Sequence, residues 1–186
     1  NGADQTATKT HGVTIALLNS GDANDDFTKT GYTVTGWSMN ADGSTTDFAL
    51  GANYTTEAPV TLYPVWTANT YTVSYTYNGA TGGNSVSSVD YTVDGVLVAL
   101  PIPTKTGYSF AGWYSNIGLT TSAGADGAIY TPSGDVTLYA KWDATTFTVI
   151  YAYNGATGGN DDDDDQYTTD GTVITLPTPT KEGYTF

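Results

Sequence analysis

The sequence repeats itself with a period of 76 residues, and this repetition constrains the fold more than any other feature. The segment Tyr71–Asn84 returns as Phe147–Asn160, and Lys29–Trp37 returns as Lys105–Trp113. One complete repeat therefore runs from about Tyr71 to Thr146. Self-similarity at a fixed period indicates a tandem array of small units, not one domain built around a single asymmetric site.

The repeats predict three segments along the chain. Residues 1–69 form a first repeat that lacks its opening strand, residues 70–146 form a complete repeat, and residues 147–186 form a third repeat that stops partway. The chain starts and stops inside repeats and has no initiator Met, so we expect it to be a stretch of a longer protein or a processed piece.

Alternating apolar and polar residues predict strands in each repeat. Tyr71, Val73, Tyr75 and Tyr77 alternate with Thr and Ser, which places the aromatic rings on one face of a strand. Trp113 has the wrong parity to share a face with Phe110, and the glycine before it indicates a β-bulge.

The predicted fold class is mainly β, α+β at most, with small β units arranged end to end. Asn-Gly and Gly-Gly pairs mark the turns between the strands. No segment shows a long helical period, and at most one short helix per repeat is expected, near Asp94–Leu100.

The large aromatic side chains are the predicted core of each repeat. All four Trp residues occupy repeat-equivalent positions, and burial of such side chains would stabilise a unit of this small size. A platform on which sugars stack is the alternative role for these rings. The predicted core residues are Trp37, Trp66, Tyr75, Tyr108, Phe110, Trp113, Leu138, Trp142 and Tyr151.

The composition excludes several classes of partner and site. With five Lys, no Arg and a net charge of −14, the chain is a poor partner for nucleic acid or anionic membranes. No apolar run approaches the roughly 20 residues of a membrane-spanning helix. The absence of Cys excludes disulfides and thiolate metal sites. Abundant Thr, Ser, Gly, Asn and Tyr suit an exposed β-rich protein outside the cell.

No set of residues predicts catalysis. His11 is the single histidine, and one base in one repeat is a weak basis for a Ser-His-Asp site. The acidic residues that a glycosidase would need lie in loops and are not repeated. We therefore predict no catalytic residues and no required cofactor.

The run Asp161–Asp165 is a candidate calcium site. Adjacent carboxylates repel one another, so a solvated charged loop is one interpretation. Capture of Ca²⁺ by oxygen ligands is the other. Alternate residues of an extended chain point to the same side, so the candidate ligands are Asp161, Asp163 and Asp165.

Three lysines recur in register, at Lys29, Lys105 and Lys181, each just before a Tyr-containing strand. The interpretation we favour is that each lysine lies over an aromatic ring beside the turn. An internal isopeptide link to Asn or Asp is the alternative, but it requires a buried lysine, and the surrounding sequence indicates exposure.

The strings Pro103–Tyr114 and Asp135–Trp142 closely resemble the Listeria–Bacteroides repeat, the unit seen as B-repeats in internalin-like surface proteins. The resemblance covers essentially the whole chain. It implies a compact β-grasp-like fold, extracellular display, a spacer or stalk role in bacterial adhesins and other surface proteins, and no catalytic residues. Asp161–Asp165 departs from the pattern, because it replaces Ser85–Val89 of the second repeat.

These observations favour a non-enzymatic stalk or spacer segment of a bacterial cell-surface or secreted, adhesin-like protein. The expected partners are neighbouring repeats, with no nucleic acid and no membrane insertion. Two alternatives stay open. One is a module that binds a glycan or a host protein. The other is a subunit that assembles with copies of itself into a filament or surface layer, because the first repeat lacks a strand that a neighbour could donate.

Overall fold

The computed structural model describes residues 5–19, 28–95, 97–159, 164–171 and 173–186. Two compact units contain them: the first comprises Asn1–Tyr71 and Asp90–Val96, and the second Thr72–Val89 and Leu97–Phe186. The described residues form strands, turns and loops without a helix. The prediction of a mainly β protein is thus confirmed, whereas the β-grasp likeness and the division at residues 69 and 146 stay predictions.

The first repeat contains two small antiparallel pairs. Strand β1 (Ile15–Ala16) pairs with β3 (Asn53–Tyr54), and β2 (Tyr32–Ser38) pairs with β4 (Tyr63–Ala68). Among the described residues of this repeat, the buried apolar side chains are Val34, Trp37 and Tyr54. The Trp37 indole N–H donates to the Leu18 carbonyl at 3.0 Å, so burial of the ring leaves no unpaired donor.

The second repeat contains a five-stranded sheet. In spatial order its strands are β11 (Ser122–Gly124), β10 (Tyr108–Tyr114), β13 (Val136–Ala144), β5 (Thr70–Thr76) and β7 (Ser88–Thr92). The central strand β13 is antiparallel to β10 and parallel to β5. Because β13 bonds on both edges, it joins the first and last parts of the repeat into one sheet.

Short strand pairs surround this sheet and continue into the third repeat. In the second repeat β6 (Gly82–Gly83) pairs with β9 (Pro103–Thr104), and β8 (Val98–Ala99) pairs with β12 (Ile129–Tyr130). In the third repeat β14 (Thr146–Ile150) pairs with β16 (Asp164–Thr168), and β15 (Gly158–Gly159) pairs with β17 (Pro179–Thr180). At most one short helix was expected near Asp94–Leu100, and the described residues of this segment form none: a turn occupies residues 93–94, and β8 pairs with a strand about 30 residues later.

A β-bulge sets the direction of Trp113, as predicted. The pairing of β10 with β13 shifts register between Phe110 and Gly112, so that Phe110 and Trp113 contact each other at a centroid distance of 5.6 Å. Gly112 has φ of +122°, and a Cβ there would lie 3.1 Å from the Gly124 carbonyl oxygen. A glycine is therefore required at the bulge. The pairing of β2 with β4 shifts at the equivalent point, between Val34 and Gly36.

Trp113 lies at the centre of the second repeat's core and is fully buried. Its indole N–H donates to the Pro101 carbonyl at 2.9 Å, and its ring meets those of Tyr75 and Tyr77 edge to face. Such ring pairs add to the stabilisation that burial itself provides. The fully packed cluster is Val73, Tyr75, Leu100, Trp113, Leu138 and Ala140.

Candidate repeat joint

A Lys-x-Gly-Tyr turn occurs in all three repeats and has the same backbone geometry in each. The Tyr N–H donates to the Lys carbonyl at 3.0 Å in Lys29–Tyr32, and at 3.1 Å in both Lys105–Tyr108 and Lys181–Tyr184. The three glycines have φ of +80°, +80° and +77°, which is the left-handed region that glycine enters without strain. The repeated sequence therefore specifies one repeated turn.

Each lysine of these turns lies over the ring of its tyrosine, as the sequence predicted. The ammonium-to-centroid distances are 3.5 Å for Lys29 over Tyr32, 4.0 Å for Lys105 over Tyr108 and 4.9 Å for Lys181 over Tyr184. Attraction between the cation and the ring face supports this placement. The lysine thereby covers one face of the tyrosine and leaves its hydroxyl directed elsewhere.

In the second unit, the Gly107–Tyr108 turn contacts a turn of the third repeat. The Gly107 carbonyl oxygen accepts the Thr145 backbone N–H at 2.9 Å and the Thr169 hydroxyl at 2.7 Å. The Tyr108 hydroxyl donates to the Asp170 carboxylate. One carbonyl oxygen thus joins three parts of the chain: the turn itself, the linker between the repeats and the turn of the repeat that follows.

The first unit contains the same arrangement 76 residues earlier. The Gly31 carbonyl accepts the Asn69 N–H at 2.8 Å, and the Tyr32 hydroxyl donates to the Asp94 carboxylate. Val93 stands in the place of Thr169 and lies over Gly31. We call this set of contacts the repeat joint. It consists of the Gly-Tyr pair of one turn, the linker residue whose N–H donates to the glycine carbonyl, and two residues of the facing turn. Of these two residues, one contacts the glycine and the other accepts the tyrosine hydroxyl.

The carboxylates of the repeat joint raise the pKa of its tyrosines. For Tyr108 the main cause is the hydrogen bond to Asp170, followed by burial and the negative charge of the same carboxylate. The pKa of Tyr32 is raised by Asp94 in the same way, again with the hydrogen bond first. The phenols therefore stay protonated, and remain donors, over a wider range of pH.

The third turn, Lys181–Tyr184, has the same backbone but no facing turn among the described residues. A Cβ on Gly183 would meet nothing within 4 Å. Tyr184 is 73% exposed, whereas Tyr32 and Tyr108 are half-buried. Within the part of the chain that the structure describes, two copies of this turn are therefore occupied and the third, which we call the open turn, faces no other turn.

The predicted core residues fall into two classes of burial. Trp37, Tyr75, Trp113 and Leu138 are buried. The side chains that are half-buried are Trp66, Tyr108, Phe110, Trp142 and Tyr151. Tyr108 contributes to the repeat joint through its hydroxyl, and the Trp142 indole donates to the Tyr77 carbonyl at 3.0 Å.

Two of the three candidate calcium ligands, Asp161 and Asp163, lie outside the described residues. The third, Asp165, belongs to β16, and its carboxylate accepts a hydrogen bond from the Tyr151 hydroxyl at 2.7 Å. The described part of the chain contains no group of three His, Asp or Glu residues arranged for a metal ion. Calcium binding at these aspartates stays a prediction.

His11 lies on the surface beside Glu57. Glu57 accepts hydrogen bonds from Lys9, from the Gly12 N–H at 3.1 Å and across 3.1 Å from His11 Nδ1. These bonds, that of Lys9 first, hold the pKa of Glu57 below its usual value. The His11 side chain is 92% exposed, so this group lacks the enclosure that a catalytic base needs.

The sequence reasoning missed the acidic side of the repeat joint. Asp94 and Asp170 stand in ordinary-looking turns, and each lies 62 residues after its tyrosine. The signal was available, because both members of the Tyr–Asp pair recur with the period of the repeat. The aligned position in the first repeat holds His11 in place of an aspartate.

Comparison with known proteins identifies the family to which these repeats are similar. The sequence profile of the Listeria–Bacteroides repeat domain family matches residues 1–65, 71–141 and 147–186. A Gly-rich protein of Evansella cellulosilytica, provisionally named as a membrane protein, is 38% identical over 162 residues, which is 85% of this chain. Internalin H of Listeria monocytogenes is 35% identical over 117 residues, which is 62% of this chain.

The chain spans only a small part of these relatives. It matches 18% of the Evansella protein and 20% of Internalin H. No solved structure matches the chain. The described residues contain no helix long and apolar enough to cross a bilayer.

Proposed function

Since this chain belongs to the Listeria–Bacteroides repeat family, we propose that it is a non-enzymatic spacer segment of a larger bacterial protein that acts outside the cell. In this role the repeats hold another part of the protein at a distance from its anchor. Binding or catalysis resides in other domains, and this segment supplies length and orientation.

The closure of the second repeat around its own residues is the observation that carries this proposal. Val73, Leu100, Trp113 and Leu138 come from separate parts of the repeat, and each is at most 1% exposed. A unit that buries its own aromatic centre can be repeated without a partner, which is what a spacer requires. The buried Trp113 is also unavailable for stacking on a sugar, so the core aromatics weigh against the glycan-binding alternative.

The lengths of the relatives support a spacer within a larger protein. Internalin H and the Evansella protein are about five times the length matched by this chain, which leaves ample sequence for heads and anchors. The acidic surface, with a net charge of −14, favours solubility and disfavours nucleic acid as a partner. We propose neighbouring repeats as the main partners of this segment.

Small-angle X-ray scattering of the 186-residue chain tests the spacer proposal. A compact protein of this length has a radius of gyration of about 16 Å. We expect a clearly larger radius and a pair-distance distribution with a long tail. A radius near that of the compact case would contradict the proposal.

Self-assembly is a second candidate function, because several strands have an unpaired edge within the described residues. Strand β4 pairs with β2 alone and β14 with β16 alone, whereas β13 pairs on both sides. An exposed edge is a template for a strand from another chain. Sedimentation velocity over a hundredfold range of concentration separates the candidates: growing polymers favour assembly, and an unchanged monomer favours the spacer.

A further inference from the structure

We propose that the Lys-x-Gly-Tyr turn is a docking surface for the Asp-bearing turn of the following repeat, and that this contact fixes the orientation of consecutive repeats. The inference deepens the spacer function and rests on it for its biological meaning. Its physical basis is the repeat joint, which occurs twice at equivalent positions, once in each unit.

The docking surface depends on the absence of a side chain at the glycine. A Cβ on Gly107 would lie 2.5 Å from Thr169 Oγ1, 3.0 Å from its Cγ2 and 3.3 Å from its Cβ. Rotation of the threonine would only exchange one close atom for another, because its side chain is branched at Cβ. At the first copy, a Cβ on Gly31 would lie 2.6 Å from Val93 Cγ1. In both copies the facing turn approaches closely because the glycine leaves room for it.

The facing turn carries a matching acceptor. Asp170 follows Thr169 in a turn closed by the Gly171 N–H, which donates to the Thr168 carbonyl at 2.8 Å. Asp94 follows Val93 in a turn closed by the equivalent bond of Gly95 to Thr92, at 3.0 Å. Each aspartate accepts the hydroxyl of the facing tyrosine. Hydrogen bonds to an ionised carboxylate are stronger than neutral ones.

The linker is part of the same contact. Thr145 donates its N–H to the carbonyl oxygen of Gly107, which also accepts the Thr169 hydroxyl, so both lone pairs of that oxygen are used. A linker bonded in this way loses the freedom that a flexible connection would have. The joint therefore restrains both the linker between the two repeats and the turn that follows it.

The partner of the open turn at Lys181–Tyr184 is inferred from its likeness to the two occupied turns. Its backbone bond and its lysine placement match those of the occupied copies. We assign it as a docking surface for the Asp-bearing turn of another repeat of this family. The turn of the first repeat that aligns with the Asp-bearing turns would fit this surface poorly. It has His11 in place of the aspartate, and His11 contacts Glu57.

Gly107→Ala tests the joint, with Gly183→Ala as its matched control. Both alanines are strained by the same positive φ, but only the one at residue 107 meets a facing turn. Hydrogen–deuterium exchange of the Thr145 amide and of residues 164–171 is the readout. We expect Gly107→Ala to speed this exchange at least about tenfold, corresponding to loss of two or three hydrogen bonds, and Gly183→Ala to leave it unchanged.

Tyr108→Phe, with Tyr184→Phe as its control, keeps the test decisive if Gly107→Ala fails to fold. Loss of the Tyr108 hydroxyl is expected to speed exchange in residues 164–171 several-fold, and loss of the Tyr184 hydroxyl to have no effect. The proposed role of the joint would be overturned if Gly107→Ala exchanged as slowly as Gly183→Ala, or Tyr108→Phe as slowly as Tyr184→Phe, while Trp fluorescence showed a folded core. If scattering showed an extended particle but the variant pairs exchanged equally, the chain would be a spacer with flexible linkers. The spacer proposal and the joint proposal can therefore fail independently.

Discussion

The second and third repeats share their opening sequence but differ sharply in burial. Leu100 is 1% exposed, whereas its counterpart Leu176 is 65% exposed. Val73 is fully buried, and its counterpart Val149 is half-buried. The two strands that contain these valines, β5 and β14, carry nearly the same residues, so local sequence does not account for the difference.

The difference shows that the second half of a repeat closes the core. In the second repeat, β10 and β13 bring Trp113 and Leu138 over the opening strand. In the third repeat the counterparts of the Trp113 neighbours line a groove of about 480 Å³, with Tyr151, Leu176 and Phe186 on its wall. The first hairpin therefore presents apolar side chains, and strands that come later in the chain bury them.

Removal of the Trp113 side chain should have the largest effect. Trp113→Ala leaves a cavity at the point where three other aromatic rings meet, and such a change costs about 3–5 kcal/mol. We expect the second repeat to unfold at a much lower urea concentration. A loss below about 1 kcal/mol would show that Trp113 does not close this core.

The matched pair Leu100→Ala and Leu176→Ala sharpens the comparison directly. The first substitution empties a fully buried site and should destabilise the second repeat by about 2–5 kcal/mol. The second changes an exposed side chain and should alter stability by less than about 0.5 kcal/mol. Urea unfolding, followed by circular dichroism, measures both, and equal effects would contradict the difference in burial.

Tyr75→Phe and Tyr151→Phe are expected to have smaller effects, and only the second should destabilise its repeat. The buried Tyr75 hydroxyl has no hydrogen-bond partner within the described residues, and burial, with a contribution from Tyr77, raises the pKa of Tyr75 to about 12. Its removal should be neutral or stabilise the repeat by about 1 kcal/mol. Tyr151 bonds Asp165, so its loss should cost about 0.5–1.5 kcal/mol. Shifts in the urea midpoint test the two signs.

Alkaline pH should weaken the occupied joint at Tyr108. The Asp170 hydrogen bond raises the pKa of Tyr108 above its ordinary value of 10.0. A raised folded-state pKa means that the bond stabilises the joint fully below pH 10 and that this contribution is lost as the pH rises through the raised value. Absorbance titration at 295 nm, as a difference between wild type and Tyr108→Phe, should give a transition above pH 10. A transition at or below pH 10 would contradict the hydrogen bond between Tyr108 and Asp170.

Local patterns predicted the strands and the bulge because both depend on residues close in sequence. The alternation around Val73 and Tyr75 has the period of a strand, and the parity of Trp113 relative to Phe110 required an extra residue. The placement of Lys105 over Tyr108 also follows from four neighbouring residues. These features needed no knowledge of distant parts of the chain.

The features that sequence reasoning left open or missed depend on distant residues. At most one short helix was expected near Asp94–Leu100, whereas pairing of β8 with β12 makes Val98 and Ala99 extended. Whether a leucine at this position is buried, as Leu100 is, or exposed, as Leu176 is, depends on the strands that pack over it. The segment that contains the leucine does not encode those strands. The Tyr108–Asp170 bond joins two repeats across 62 residues, and only a search for pairs that recur together would have found it.

Distance measurement between spin labels tests most directly whether the joint fixes consecutive repeats. The chain contains no Cys, so labels can be placed uniquely at Ile117→Cys in the second repeat and Val173→Cys in the third, where the native side chains are 82% and 96% exposed. Double electron–electron resonance should give one narrow distance distribution in the wild-type background and in Gly183→Ala, and a broad one in Gly107→Ala. A broad distribution already present without any joint substitution would contradict the account.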